Sequence, residues 1–249
     1  MPRVDLNCDL GEGAGQDAAL MPLITSANIA CGAHAGDAET MRETVRLALC
    51  HGVAIGAHPG FADRAHFGRR ELTVEPAAVR ELVEAQTRAL QEITARCGGR
   101  VGHVKPHGAL YNLAARDAVV ARAVAEAVLA CGQELALFAL AGSVGAQVAE
   151  ACGLRVAHEV FADRTYQADG SLTPRTQPHA LIADDAVAAA QARRMVVEGR
   201  VRAVDGREVV VRADTLCLHG DGAQAVEFAR RIRREFEQAG VALRCFADV

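Results

Sequence analysis

Polar and apolar residues alternate strictly at the start of this chain, where Asp5, Asn7 and Asp9 interleave with Val4, Leu6, Cys8 and Leu10. A period of two belongs to a β-strand with one polar and one apolar face. The same alternation returns at His103, Lys105 and His107, and again at Cys217, His219 and Asp221. Apolar runs predict strands over residues 4–10, 27–31, 53–57, 101–105, 135–140, 154–160 and 215–218. Between them, spacings of three and four predict helices over 39–50, 77–96, 118–130, 143–151, 185–198 and 223–238. Pro76 suits the first turn of its helix and Gly98-Gly99 marks that helix's end.

Repeated strand–helix alternation implies parallel strands joined by right-handed crossovers, hence a barrel or a doubly wound sheet. Two segments break the rhythm. A polar loop runs from 161 to 178, and a hairpin turning at Asp205-Gly206 is expected between Val201 and Val211. Long aperiodic loops in compact folds are often lids or binding loops. In a surface strand the alternation would mean only a wet face. Here, however, the polar residues gather where strands end: Asn28, His34 and Asp37 after the second, His58 after the third, Glu159 and Asp163 around the sixth, His219 and Asp221 after the seventh. Parallel α/β folds build their sites at that edge, and a barrel collects all such edges into one mouth.

At 249 residues and 51% hydrophobic content, the chain suits one barrel domain spanning 1–249. A net charge of −4, no tryptophan and no basic stripe argue against nucleic acid as a partner. Neither a signal-peptide pattern nor a membrane-length apolar run is present, so a cytoplasmic location is expected. The eight cysteines include no Cys-x-x-Cys pair, which predicts reduced and mostly buried thiols.

Among 27 lysines and arginines, the only lysine is Lys105. An amine is a compact charge whose pKa responds to burial, and it does work a guanidinium cannot do. A surviving chance lysine is the plain alternative, but an apolar strand before it and histidines two residues away on each side favour function. Asp9, His34 and His58 end three successive strand units and form a plausible two-imidazole, one-carboxylate metal set with an open position. His103 and His107 would lie ~13 Å apart if extended at ~3.3 Å per residue, too far to share an ion. Asp37 reads equally well as a helix N-cap ahead of Glu39. No Walker loop exists, since nothing of that pattern precedes Lys105. Gly11-Glu12-Gly13-Ala14-Gly15 reads as a turn whose amides could cradle an anion.

The blocks 5–12, 26–37, 55–61, 103–112, 159–166 with Arg175-Thr176, and 218–221 together resemble the LamB/YcsF family of 5-oxoprolinase subunits. Six ordered blocks are far more specific than any short motif, and the departures, such as Ala33 and Ala38, are small. The resemblance implies a distorted, seven-stranded parallel β/α barrel similar to polysaccharide deacetylases. It also implies ATP-dependent opening of the 5-oxoproline lactam to glutamate, with two partner subunits and ATP as co-substrate of the complex. For that chemistry Lys105 would hold phosphate or the developing oxyanion, Asp9 or Glu12 would activate water, and His107 or His219 would carry the proton. Asp5, Asn7, Asn28, Glu159, Arg164 and Asp221 complete the expected substrate-binding ring, and Arg164 or Arg175 could meet a substrate carboxylate. Competing readings are a stand-alone metal-dependent amide hydrolase and a non-catalytic binder of small carboxylates. The number of ionisable groups at one mouth speaks against the binder.

Overall fold

A computed structural model describes residues 2–219 and 225–246 of the chain. Seven parallel strands close on themselves: β1 (Arg3–Leu10), β2 (Ser26–Ala30), β3 (Ala54–His58), β4 (Val101–Val104), β5 (Ala136–Leu140), β6 (Arg155–Phe161) and β9 (Thr215–His219). Each pairs with the next in that order, and β9 returns to β1 with Asp9 opposite His219. β7 (Arg200–Arg202) and β8 (Glu208–Val210) form a separate antiparallel hairpin, and β10 (Ala242–Leu243) pairs in parallel with the first residues of β1, Arg3 and Val4.

Among the described residues eight α-helices accompany the strands: α1 (Asp17–Leu20), α2 (Ala38–His51), α3 (Pro76–Arg96), α4 (Gly108–Arg116), α5 (Ala118–Cys131), α6 (Val144–Ala151), α7 (Asp185–Glu198) and α8 (Ala225–Gln238). All seven expected strands and five of the expected helices are present within one or two residues. The expected start of the last helix at Ala223 lies outside the described residues. Helix α4 is not expected from the sequence pattern: its nine residues follow Pro106 and His107 directly, in the gap between the strand read over 101–105 and the helix read over 118–130. Its Ala109, Leu110 and Ala114 are buried, which is what holds so short a helix in place.

β1 decides the meaning of the alternation. Seven of its residues are buried on both faces. Val4, Leu6, Cys8 and Leu10 join the hydrophobic core, while Asp5, Asn7 and Asp9 are 1%, 0% and 8% exposed. The polar face is therefore the barrel lumen, not a wet surface. Closure also needs a gap in β3. Gly56 pairs with His103 where the β3–β4 register shifts, and a Cβ at Gly56 would stand 2.0 Å from Nε2 of His103. Glycine there is what lets the imidazole lie across the lumen.

The thiols are less buried than expected. All eight cysteines are free, but only Cys8, Cys31 and Cys217 are buried, and Cys50 is exposed. Among the described residues no helix is long and apolar enough to cross a membrane.

Candidate active site at the barrel mouth

The lumen is packed with polar side chains in layers, as barrel interiors are packed by inward-facing residues of successive strands. In the lowest layer, Asp5 accepts hydrogen bonds from Thr25, Ser26 and Thr215 at 2.6, 2.6 and 2.5 Å. Burial pushes its carboxyl up to about 6, because the three hydroxyl donors only partly offset the loss of water. Asp5 thus closes the barrel floor and stands apart from the mouth.

The middle layer is a single network. Asn7 donates to Glu159 at 3.0 Å and to Thr215 at 2.7 Å. Asn28 donates to Asn7 at 2.7 Å and to Asp9 at 2.8 Å. His103 Nε2 sits 2.8 Å from Oδ1 of Asn28, with its ring stacked on Phe138 at 4.1 Å. Lys105 is 2% exposed. Its Nζ contacts Oδ1 of Asp9 at 2.8 Å, Oε1 of Glu159 at 3.0 Å, Sγ of Cys217 at 3.0 Å and Oδ1 of Asn7 at 3.3 Å. Burial works against its charge, but Asp9, Cys217 and Glu159 outweigh it and hold the amine well above the usual lysine range. The lone lysine is a fully engaged ammonium rather than a free nucleophile, since an ammonium has three protons and here faces four acceptors.

The upper layer brings Glu12, His34, His58 and His107 together, with ligand atoms all within 4.8 Å of one another. The turn after β1, where Gly11, Gly13 and Gly15 take positive φ, carries Glu12 back over the mouth. The Gly11 amide donates to the Asp17 carboxylate at 2.8 Å, so this part of the turn already cradles an anion of its own chain. His58 Nδ1 donates to the Lys105 carbonyl at 2.7 Å, and His107 Nε2 donates to the Phe67 carbonyl at 2.8 Å. The remaining nitrogens, His58 Nε2 and His107 Nδ1, face each other at 2.9 Å. Glu12 Oε1 lies 3.1 Å from His34 Nε2, 3.3 Å from His107 Nδ1 and 3.7 Å from His58 Nε2.

Electrostatics divides these groups. Burial alone would raise Glu12, but hydrogen bonding by His107 and His34 and the charge of His58 hold it well below the usual carboxylate range. Burial pushes His34 down to about 4 and lowers His107, with Glu12 opposing both. His58 moves upward, because Asp9 and Glu12 overcome its burial.

Asp9, Glu12, His58, Lys105 and His107 all line one cavity of about 880 Å³, together with Arg69, Arg116, Arg164, Arg175 and Gln177. Of the expected metal set, His34 and His58 share the cluster. Asp9 is turned to Lys105 and Asn28, and its Oδ2 reaches His58 Nε2 at 3.4 Å. His103 lies in the middle layer, apart from His107. Asp37 caps α2 by accepting from the Thr40 amide at 2.9 Å. Arg164 is buried and spends Nε on Ala180 and Nη2 on Thr173, both backbone carbonyls, so it ties down the loop expected to cover the site. The His219 side chain and Asp221 lie outside the described residues. Cys217 and Gln86, whose side-chain amide brackets the Gly60 backbone, belong to the site's support, and sequence reasoning does not single them out as such. Only the alternation through Cys217 hints at either.

A model of the LamB/YcsF family matches residues 4–249, and the chain belongs to that family. It is 54% identical over 247 residues to a 5-oxoprolinase subunit of Bordetella pertussis, covering 97% of this chain and 98% of that one. It is 52% identical to a 5-oxoprolinase subunit of Geobacillus kaustophilus over 98% of this chain and 96% of the other. The crystal structure of the lactam utilization protein from Thermus thermophilus superposes with a TM-score of 0.91 at 49% identity, covering 97% and 99% of the two chains. The polysaccharide deacetylase Bc1974 from Bacillus cereus shares the fold, with a TM-score of 0.50, 14% identity and coverage of 98% and 92%.

Proposed function

We propose that this LamB/YcsF chain is the lactam-opening component of a 5-oxoprolinase and converts 5-oxoproline to glutamate while its complex turns ATP over to ADP and phosphate. The observation that carries the reading is joint: near-full-length relatives are named for that activity, and this chain gathers its ionisable residues at one cavity. Two partner subunits belong to the proposal, since the relatives are subunits by name and this chain carries no phosphate-binding loop of the Walker type.

A lactam is a stabilised amide. Opening it requires its carbonyl oxygen to be polarised or phosphorylated, water added to the carbonyl carbon, the C–N bond broken and the nitrogen protonated. Asp9 is the group placed to take the proton from water, because it faces the cavity while Lys105 and Asn28 hold its other oxygen. Lys105 acts through Asp9, fixing its charge and orientation, and reaches an incoming oxyanion only by giving up one of its present acceptors. Glu12, His58 and His107 lie beside Asp9 on the same cavity, where water or the carbonyl oxygen must be held. Arg175, exposed on the same cavity, is a cation suited to the substrate carboxylate.

The test is release of glutamate from 5-oxoproline, measured with and without ATP and the partner subunits. Release that needs this chain, the partners and ATP supports the reading. Release by this chain alone, or none in any mixture, rejects it.

A further inference from the structure

Two imidazole lone pairs pointing at each other across 2.9 Å are repulsive unless a cation lies between them. His58 and His107, when both are neutral, are in that relation, because a backbone carbonyl takes the proton on the far nitrogen of each ring. Carbonyls that fix the tautomer in this way are the outer partners of metal-binding histidines. The two rings are nearly perpendicular, at 88°, so their in-plane lone pairs can converge on one point. Glu12 Oε1 is the third corner, 3.3 Å and 3.7 Å from the two nitrogens. Adjacent ligand atoms around an ion with bonds of about 2.1 Å stand about 3.0 Å apart in octahedral and about 3.4 Å apart in tetrahedral geometry. The three edges of the triangle bracket that range.

His34 plays a different part. Its ring stacks on His107 with an interplanar angle of 1° and centroids 3.8 Å apart. Two parallel stacked rings cannot both aim in-plane lone pairs at the same ion. His34 Nε2 instead sits 3.1 Å from Glu12 Oε1, and His34 is absent from the cavity lining that Glu12, His58 and His107 share. It orients the carboxylate from behind.

Charge points the same way. Asp9 and Glu159 are buried carboxylates against the single ammonium of Lys105, and the half-buried Glu12 faces imidazoles, which carry no charge when neutral. That leaves a formal excess of two negative charges which a divalent ion would cancel, and uncompensated buried charge is costly.

We infer that Glu12, His58 and His107 form a divalent transition-metal site, with His34 as the positioning residue behind Glu12. The donor set of two imidazoles and one carboxylate suits Zn²⁺, Co²⁺, Mn²⁺ or Fe²⁺ and leaves coordination positions open to the cavity. Water or a carbonyl oxygen of the substrate completes it. Asp9, whose Oδ2 is 3.4 Å from His58 Nε2, stands next to the open side.

The experiment is titration of the tag-free, chelator-treated chain with Co²⁺, read by calorimetry and by visible ligand-field absorption. The expected result is one Co²⁺ per chain, with affinity reduced tenfold or more in both Glu12→Gln and His107→Asn. His34→Gln should keep the stoichiometry and weaken binding by about 10- to 100-fold, while His66→Ala, at an exposed imidazole outside the cluster, should change nothing. Absence of saturable binding by the unaltered chain overturns the site and leaves a shared proton between His58 and His107. Undiminished binding in both ligand variants overturns it as well. Metal uptake is read without substrate, ATP or partners, so its outcome is separate from that of the lactam reading.

Discussion

Nζ of Lys105 stands 2.8 Å from Oδ1 of Asp9, a carboxylate 96 positions earlier in the chain, and both are nine-tenths or more buried. Removing one partner of a buried pair leaves the other charged and dry, which costs about 3–5 kcal/mol. Lys105→Met should therefore lower the unfolding free energy by about that much in urea titrations. Lys105→Arg is expected to lose turnover in the assembled complex by about 100-fold, because a planar guanidinium cannot take the place of a point charge among Asn7, Asp9, Glu159 and Cys217. Unchanged turnover in Lys105→Arg would count against a positioning role for the amine.

Asp9→Asn keeps the shape of the side chain and an acceptor for Lys105 but removes the charge and the basic oxygen. Steady-state glutamate release in the full complex should fall by about 10²- to 10⁴-fold, with binding of 5-oxoproline affected less than turnover.

Gly56 and Gly13 separate two costs of adding one methyl group. At Gly56 the added Cβ would be 2.0 Å from His103 Nε2, whereas at Gly13 nothing lies within 4 Å and only a φ of +83° is strained. Gly56→Ala should cost about 3 kcal/mol or more by displacing a buried ring, against about 1 kcal/mol for Gly13→Ala. Comparable melting temperatures for the two variants would contradict the close approach.

Acid should unfold this protein partly through His103. Burial, aided by the charge of Lys105, pushes that imidazole down to about 3. The folded chain refuses a proton that the unfolded chain takes up near pH 6.5, so stability falls as pH drops from about 6.5 toward 3. One proton gives a slope of about 1.4 kcal/mol per pH unit. His103→Gln should flatten the curve by that amount. His34, pushed down to about 4, adds to the loss in the same direction. Asp5, raised to about 6, opposes it: its folded form holds a proton longer, so its contribution is fullest below pH 4 and is lost as pH rises through 6.

Arg164 ties two points of the loop between β6 and α7 through the Ala180 and Thr173 carbonyls. Arg164→Ala should make the chain after Thr165 sensitive to limited proteolysis while the barrel remains folded, as judged by circular dichroism. Arg175→Ala, which touches no such frame, is expected to raise KM for 5-oxoproline without opening the loop to protease.

Most of the barrel is legible without the structure. The two-residue period of β1 and the apolar runs of β5 and β6 mark strands whatever surrounds them, and the Asp37 cap and Pro76 announce where α2 and α3 begin. Helix α4 escapes because its nine residues carry too little periodicity to stand out between the strand that ends before Pro106 and the helix that begins at Ala118. At the site, residue types are legible but their partners are not. Asp9 and Glu12 look alike as acids three positions apart, yet one pairs with Lys105 and the other with three imidazoles.

Local spacing is enough to say that Asp5, Asn7 and Asp9 share a face, because backbone geometry within one strand is set by nearest neighbours. It cannot say that this face is the inside of a closed barrel, which depends on β9 returning to β1 and on the register that puts Asp9 opposite His219. Nor can it say which nitrogen of His58 or His107 faces the cavity, since each is chosen by a carbonyl more than thirty residues away in sequence. Contacts of that kind are produced by the packing of distant strands and loops, and the electrostatics of the mouth exists only once they have met.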